Sequence, residues 1–232
     1  MASINLLIVF DFDHTIVDGN TDTWITQLWE DSKKLMKNRD LCWTDRMANV
    51  FSILHEKQFT KEDFVGCLQT LPFTEGMREL LDFIKAQNIE CIIISDSNSF
   101  FIHCILEYGN VLNCVQKVYT NPAKWTESQL LTIHHYHSHN CKQCPPNLCK
   151  GDVLTRHTKN SDHDEKTVLY VGDGKNDFCP ALSMKECDFI FPRKGYSLLK
   201  LLDENMQRVA PTVVPWTNGL DILDMLKNIL SI

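Results

Sequence analysis

The stretch LLIVFDFDHTIVD, residues 6–18, passes without a break from five apolar residues to two aspartates set one residue apart, Asp11 and Asp13. An unbroken run rich in Leu, Ile and Val, at strand length, is how a strand covered on both faces reads. Residues i and i+2 of a strand share a face, so two carboxylates at its exit can point into one crevice. Taken alone, the pair also suits a strand end that simply reaches solvent. Three further runs repeat the pattern: CIIIS at 91–95, TVLYVG at 167–172 and CDFIF at 187–191, with QKVYT at 116–120 a fifth candidate. Two of them also exit on polar groups, Ser95 and Asp96 in one case, Asp173 and Asp177 in the other.

Helical patterning fills the intervals, over residues 75–87, 99–108, 147–157 and 197–205. The C-terminal TNGLDILDMLKNIL sets Leu220, Leu223, Leu226 and Ile229 on one face of an amphipathic helix. Strands alternating with helices predict an α/β fold, a doubly wound parallel sheet with right-handed crossovers. Residues 18–71 interrupt the rhythm, since they carry helical patterning and no strand. An insert directly after the first strand is expected above the carboxyl ends of the sheet, where open α/β folds bind ligands. The expected division is therefore a core of residues 1–17 and 72–232 and a small helical cap of residues 18–71.

Composition narrows the class. The chain has 232 residues, 44% hydrophobic and 23% charged, which is ordinary for a globular protein. A net charge of −7 argues against a nucleic-acid partner, which calls for a basic face. No window approaches the ~20 apolar residues that span a bilayer, and no basic leader precedes the first apolar run. The expectation is a cytoplasmic protein with no membrane partner, whose ten cysteines are mostly reduced thiols. Its oligomeric state is not legible.

Four strand-end acids and a hydroxyl converging on one crevice raise one another's pKa and destabilise the fold when uncompensated. A hard divalent cation resolves the conflict, and few oxygen ligands with room for water suit Mg2+ better than Ca2+.

The motif D-x-D-x-T at 11–15, Ser95, Lys150 and GDGKND at 172–177 occur in the order of the haloacid dehalogenase superfamily, which the chain resembles over nearly its whole length. FDFDHTIVDGNTDTWI, IISDSNS, NLCKG, VGDGKNDFCP and PRKGY are similar to the PHOSPHO-type phosphatases, which act on pyridoxal phosphate or on phosphoethanolamine and phosphocholine. DTWI and SDSNS look more like the pyridoxal phosphate branch. The resemblance implies a Mg2+-dependent phosphatase acting on a small phosphomonoester, with pyridoxal 5'-phosphate preferred and phosphoethanolamine or phosphocholine the alternative. It assigns Asp11 as the nucleophile that becomes an aspartyl-phosphate and Asp13 as the general acid and base. Asp11, the Asp13 carbonyl and Asp173 are expected to hold the metal, with Asp177 behind them supporting its waters or Lys150. Thr15, Ser95 and Lys150 are expected on the phosphate, and Asp22 and Asp96 on the substrate beyond it. An aspartate at position 13 separates phosphohydrolases from dehalogenases, which need no acid there. Two positions depart from the pattern. His14 is expected to point away from the phosphate, and Lys175 to be solvated.

The loop HHYHSHNCKQCPPNLCK at 134–150 is rich in metal-binding side chains. His139, Cys141, Cys144 and Cys149 offer three thiols and an imidazole, a donor set suited to a structural Zn2+. A single C-x-x-C is a weak zinc signature, so free thiols are the favoured reading and a structural Zn2+ the alternative. The remaining cysteines, Cys179 among them, read as small core residues, and Trp24, Trp29 and Trp43 as core of the cap.

Overall fold

The computed structural model describes residues 5–159 and 166–232. Eight strands occur among them: β1 (Leu6–Phe10), β2 (Glu90–Asn98), β3 (Lys117–Asn121), β4 (Ala123–Trp125), β5 (Leu131–Ile133), β6 (Thr167–Gly172), β7 (Phe189–Pro192) and β8 (Thr212–Val213). Six form one parallel sheet in the order β3-β2-β1-β6-β7-β8, the doubly wound arrangement expected. All five residues of β1 are buried, and their alternation divides the interior. Leu6, Ile8 and Phe10 face one layer and Leu7 and Val9 the other.

The first layer holds α4 (Met77–Ala86), α5 (Ser99–Tyr108) and α9 (Gly219–Leu230). The second holds α6 (Lys150–Lys159), α7 (Phe178–Ala181) and α8 (Ser197–Glu204). The segment after β1 contains α1 (Thr21–Ile25), 3-10 turns over 26–28 and 30–37, α2 (Trp43–Glu56) and α3 (Lys61–Gln69). Thr60 and Asp63 close a capping box at the start of α3, and Pro72 follows its end. Met47, Val50, Phe51, Leu54, Phe64 and Leu68 turn inward and join the first layer. Phe51 meets Phe101 of α5 edge-on at 5.6 Å, and Phe64 meets Trp125 of β4 at 5.2 Å.

Several details depart from the pattern read in sequence. The second strand continues past Ile94 to Asn98 with a register shift, so Ser95 and Asp96 lie within an irregular strand end. Such irregularities re-aim side chains beside sites. The antiparallel hairpin β4–β5 and the two-residue β8 carry too few residues to show a period. On α9 the buried face runs through Gly219, Ile222, Leu223 and Leu226, and Leu220 is 42% exposed beside Gly76.

Candidate active site

The carboxyl ends of β1, β2 and β6 gather Asp11, Asp13, Ser95, Asp96 and Asp173 around a cavity of about 160 Å³, completed by His14, Asn20, Gly174 and Asn176. Asp11 continues β1, and its N–H donates to the carbonyl of Val171 in β6 at 2.9 Å. The carboxylate is fixed at both oxygens. Phe12 N–H donates to Oδ1 at 2.7 Å and Lys150 Nζ to Oδ2 at 2.8 Å.

Lys150 opens α6 with no exposed surface, and its ammonium also donates to Asp177 Oδ1 at 2.8 Å. It therefore sits beneath the cavity rather than among its lining residues. Asp177 is used completely by the protein. Tyr170 Oη donates to Oδ1 at 2.8 Å, and the N–H groups of Asp173 and Gly174 donate to Oδ2 at 3.1 and 2.9 Å. Gly172 makes this approach possible, because a Cβ there would lie 2.6 Å from the Asp177 carboxyl carbon.

Asp13 is anchored by the turn that starts α1. Thr21 N–H donates to Oδ1 at 2.9 Å, and Asn20 Nδ2 and Thr21 Oγ1 donate to Oδ2 at 3.1 and 3.2 Å. Asn20 is at once the N-cap of α1, since its own Oδ1 accepts from Thr23 N–H. Asp96 accepts from Asn147 Nδ2 at 2.9 Å and from Asn176 Nδ2. Ser97 N–H donates to Ser95 Oγ at 3.2 Å.

Burial dominates the electrostatics. It raises Asp11 to about 7, with the Asp177 charge adding and Lys150 opposing. It raises Asp173 to about 8, helped by Asp11 and Asp177. Asp13 is driven well above the carboxylate range by burial and then by the charge of Asp22, against the Thr21 N–H. For Lys150 burial works against the charge, but Asp11, Asp177 and Asp96 outweigh it and the net shift is upward.

Asp11, Asp173 and Asp177 each bring an oxygen within 4.8 Å of the others, a set of hard ligands that fits a divalent cation of the Mg2+ type. With Asp177 already holding four protein donors, Asp11 and Asp173 are the carboxylates left to face such an ion.

The remaining expected positions divide. Asp22 is buried but outside the cavity lining. Trp43 Nε1 donates to its Oδ2 at 2.6 Å, and its Oδ1 has no hydrogen-bond partner among the described residues. Burial raises it to about 7, opposed by that Trp43 bond. Thr15 is fully buried, with its Oγ1 likewise unpartnered among the described residues, and is not one of the residues lining the cavity. His14 stands at the edge of the site, with its ring 5.4 Å from that of Tyr196. It takes a left-handed φ of 54°, lines the cavity, and its carbonyl accepts from Arg193 Nη1 at 2.7 Å. Lys175 is exposed as expected. Trp43 is not core, being 37% exposed and tied to Asp22.

The thiol cluster also differs. His139 stands outside it, with Nε2 donating to the Pro145 carbonyl at 2.9 Å and Nδ1 accepting from Cys141 N–H at 3.1 Å. Cys179 of α7 joins Cys141, Cys144 and Cys149 instead. Sequence reasoning also missed Asn20, Thr21, Asn147 and Asn176, although Asn176 lay within GDGKND.

A family model described as "Putative Phosphatase" matches residues 6–230. The chain is 43% identical over 236 residues to "Probable phosphatase phospho2" of Xenopus tropicalis, covering 97% of this chain and 98% of that one. It is 40% identical over 240 residues to "Pyridoxal phosphate phosphatase PHOSPHO2" of Homo sapiens, covering 98% and 100%. A substrate-bound phosphoserine phosphatase structure shares the fold with a TM-score of 0.65 at 18% identity, over 95% of this chain and 98% of that one.

Proposed function

The chain belongs to the "Putative Phosphatase" family and is a phosphatase of the haloacid dehalogenase type, and from that premise we propose that it hydrolyses pyridoxal 5'-phosphate through an aspartyl-phosphate at Asp11 in a Mg2+-dependent reaction. The observation that carries the reading is the presence of Asp11 and Asp13 on one cavity, one held by a lysine and the other by the start of a helix.

Asp11 is oriented by Phe12 N–H, and Lys150 favours its ionised form, the form a carboxylate nucleophile needs, against the burial that raises it to about 7. Its oxygen attacks phosphorus while the bond to the alcohol oxygen breaks. Asp13 gives its proton to that oxygen, then takes one from the water that attacks the aspartyl-phosphate and regenerates Asp11. Mg2+, with Asp11, the Asp13 carbonyl and Asp173 as its ligands, would offset the charge that the phosphate brings to the nucleophile. The Ser95 hydroxyl, which accepts from Ser97 N–H, retains its own proton for a phosphate oxygen.

A cavity of about 160 Å³ takes the phosphoryl end alone, since sites for whole small molecules run to roughly 300–1,000 Å³. We assign residues 18–71 as the cap beside this cavity, with Asn20 on its wall. The unpartnered Asp22 oxygen then suits a protonated nitrogen of the substrate, with Asp96 its acidic neighbour on the cavity wall. The preference for pyridoxal 5'-phosphate rests on the names of the relatives together with this acidic contact.

The test is kcat/KM with Mg2+ for pyridoxal 5'-phosphate, phosphoethanolamine and phosphocholine. The proposal expects the first to be highest. A higher value for phosphoethanolamine or phosphocholine would move the protein to the other branch.

A further inference from the structure

We propose that Cys141, Cys144, Cys149 and Cys179 form a tetrahedral Zn2+ site that ties the segment carrying Lys150 to the segment carrying Asp177. The sulfur atoms of all four lie within 4.8 Å of one another. Cys179 Sγ stands 3.6 Å from Cys141 Sγ and 3.8 Å from Cys149 Sγ. Zinc–sulfur bonds of about 2.3 Å at tetrahedral angles place sulfurs about 3.8 Å apart, so these spacings are those of a zinc tetrahedron. They are also far beyond the ~2.05 Å of a disulfide.

The surroundings fit the donor set. Gln143 N–H donates to Cys141 Sγ at 3.4 Å, a backbone contact that stabilises a thiolate. Gly151 lies against Cys179, where a Cβ would come within 2.7 Å of the sulfur and 3.1 Å of the carbonyl oxygen. A side chain at that position would therefore push α6 away from α7. His139 has both ring nitrogens engaged within the loop and props the C-x-x-C turn rather than offering a ligand. Soft thiolates in a tetrahedral set select zinc or iron over the hard cation suited to the neighbouring carboxylates. On binding, the four thiols release their protons and the metal takes their sulfur lone pairs, with no redox step.

The position gives the site its role. Cys149 immediately precedes Lys150, and Cys179 follows Asp177 by two residues. The Lys150–Asp177 ion pair, which also holds Asp11, is therefore flanked by two ligands of one metal. The zinc would act as a positioning element, outside the reaction.

The experiment uses the whole chain, loaded with Zn2+ under reductant, desalted and measured by elemental analysis and thiol counting. The expected result is one zinc per chain, with four thiols that react only after the metal is displaced. Replacing zinc by Co2+ should give the intense visible absorption of a tetrahedral thiolate site, a readout that needs no variant. Cys179→Ser should lose stoichiometric zinc, while His139→Ala and the exposed Cys187→Ser keep it. Asp11→Asn should keep zinc while losing hydrolysis, which separates this proposal from the reading of the active site. Substoichiometric zinc in the loaded wild type, stoichiometric iron in its place as purified, or zinc lost with His139→Ala and kept with Cys179→Ser would each overturn it.

Discussion

Replacing Lys150 by methionine removes the ammonium that stands between Asp11 and Asp177 while keeping a side chain of similar length. Both ion pairs measure 2.8 Å and the lysine has no exposed surface, so solvent cannot replace what is lost. Removing one member of a buried pair typically costs about 3–5 kcal/mol, because the partner's charge is left uncompensated. The cost should depend on pH, and its sign can be worked out at Asp11. Burial and the Asp177 charge already raise Asp11 to about 7 against the pull of Lys150, and without the lysine it rises further. A carboxyl raised in the native state is protonated there while the unfolded chain is ionised, so its contribution to stability is lost as pH rises. At pH 8 the variant carries the full loss of about 3–5 kcal/mol. At pH 5.5 Asp11 is neutral, and its share of the cost falls toward that of an unpaired polar group, about 1–3 kcal/mol. Urea unfolding with reductant and EDTA at the two pH values measures both. An equal loss at pH 5.5 and 8, or a loss below about 1 kcal/mol at pH 8, would refute the assignment of Lys150 as the buried counter-ion.

Three further outcomes follow from the same geometry. Asp13→Asn should lower turnover of pyridoxal 5'-phosphate by about 100- to 10,000-fold. The effect on kcat/KM for p-nitrophenyl phosphate should be smaller, because its leaving group departs without a proton and kcat/KM excludes the later hydrolysis of the aspartyl-phosphate that both substrates share. Asp22→Asn should raise KM for pyridoxal 5'-phosphate by about 10- to 100-fold, the worth of one charge-assisted hydrogen bond, and leave p-nitrophenyl phosphate little changed. Mg2+ should raise the melting temperature more at pH 8 than at pH 5.5. Asp11 and Asp173 are raised from 3.8 to about 7 and about 8, so below that window protons compete with the metal and above it like charge destabilises the protein without metal. Melting curves with and without Mg2+ at both pH values read this directly, and an equal increment would contradict it.

The parts of the molecule legible in sequence are those where one local signal suffices. Strands β1 and β6, buried on both faces, show as unbroken apolar runs, and the acids at their exits show as interruptions of those runs. Position across the sheet then brings Asp11 and Asp173 together, because β1 and β6 are neighbours in register. What escaped depends on contacts between distant segments or on backbone shape. Cys179 joins a thiol group whose next member, Cys149, lies 30 residues earlier, and in sequence it reads as a small core residue. His14 takes a left-handed φ of 54° and its carbonyl accepts from Arg193, 179 residues away, which no local pattern of residue types announces. Asn20 shows as a cap for α1, but its second bond, to Asp13, depends on how the loop from β1 folds back. Leu220 belonged by period to the apolar face of α9, yet the helix rotates so that Gly219 packs directly on the backbone of Gly76 and Met77.

The central claim is that Asp11 forms the bond to phosphorus. The most direct measurement is phosphate release from pyridoxal 5'-phosphate by wild type and by Asp11→Asn, each with Mg2+ and with EDTA. The account predicts release by wild type with Mg2+ alone and none by the variant, which keeps the shape of the side chain and loses the attacking oxygen's charge. Release by Asp11→Asn at more than about a tenth of the wild-type rate would contradict it, since a nucleophile cannot be removed at so small a cost.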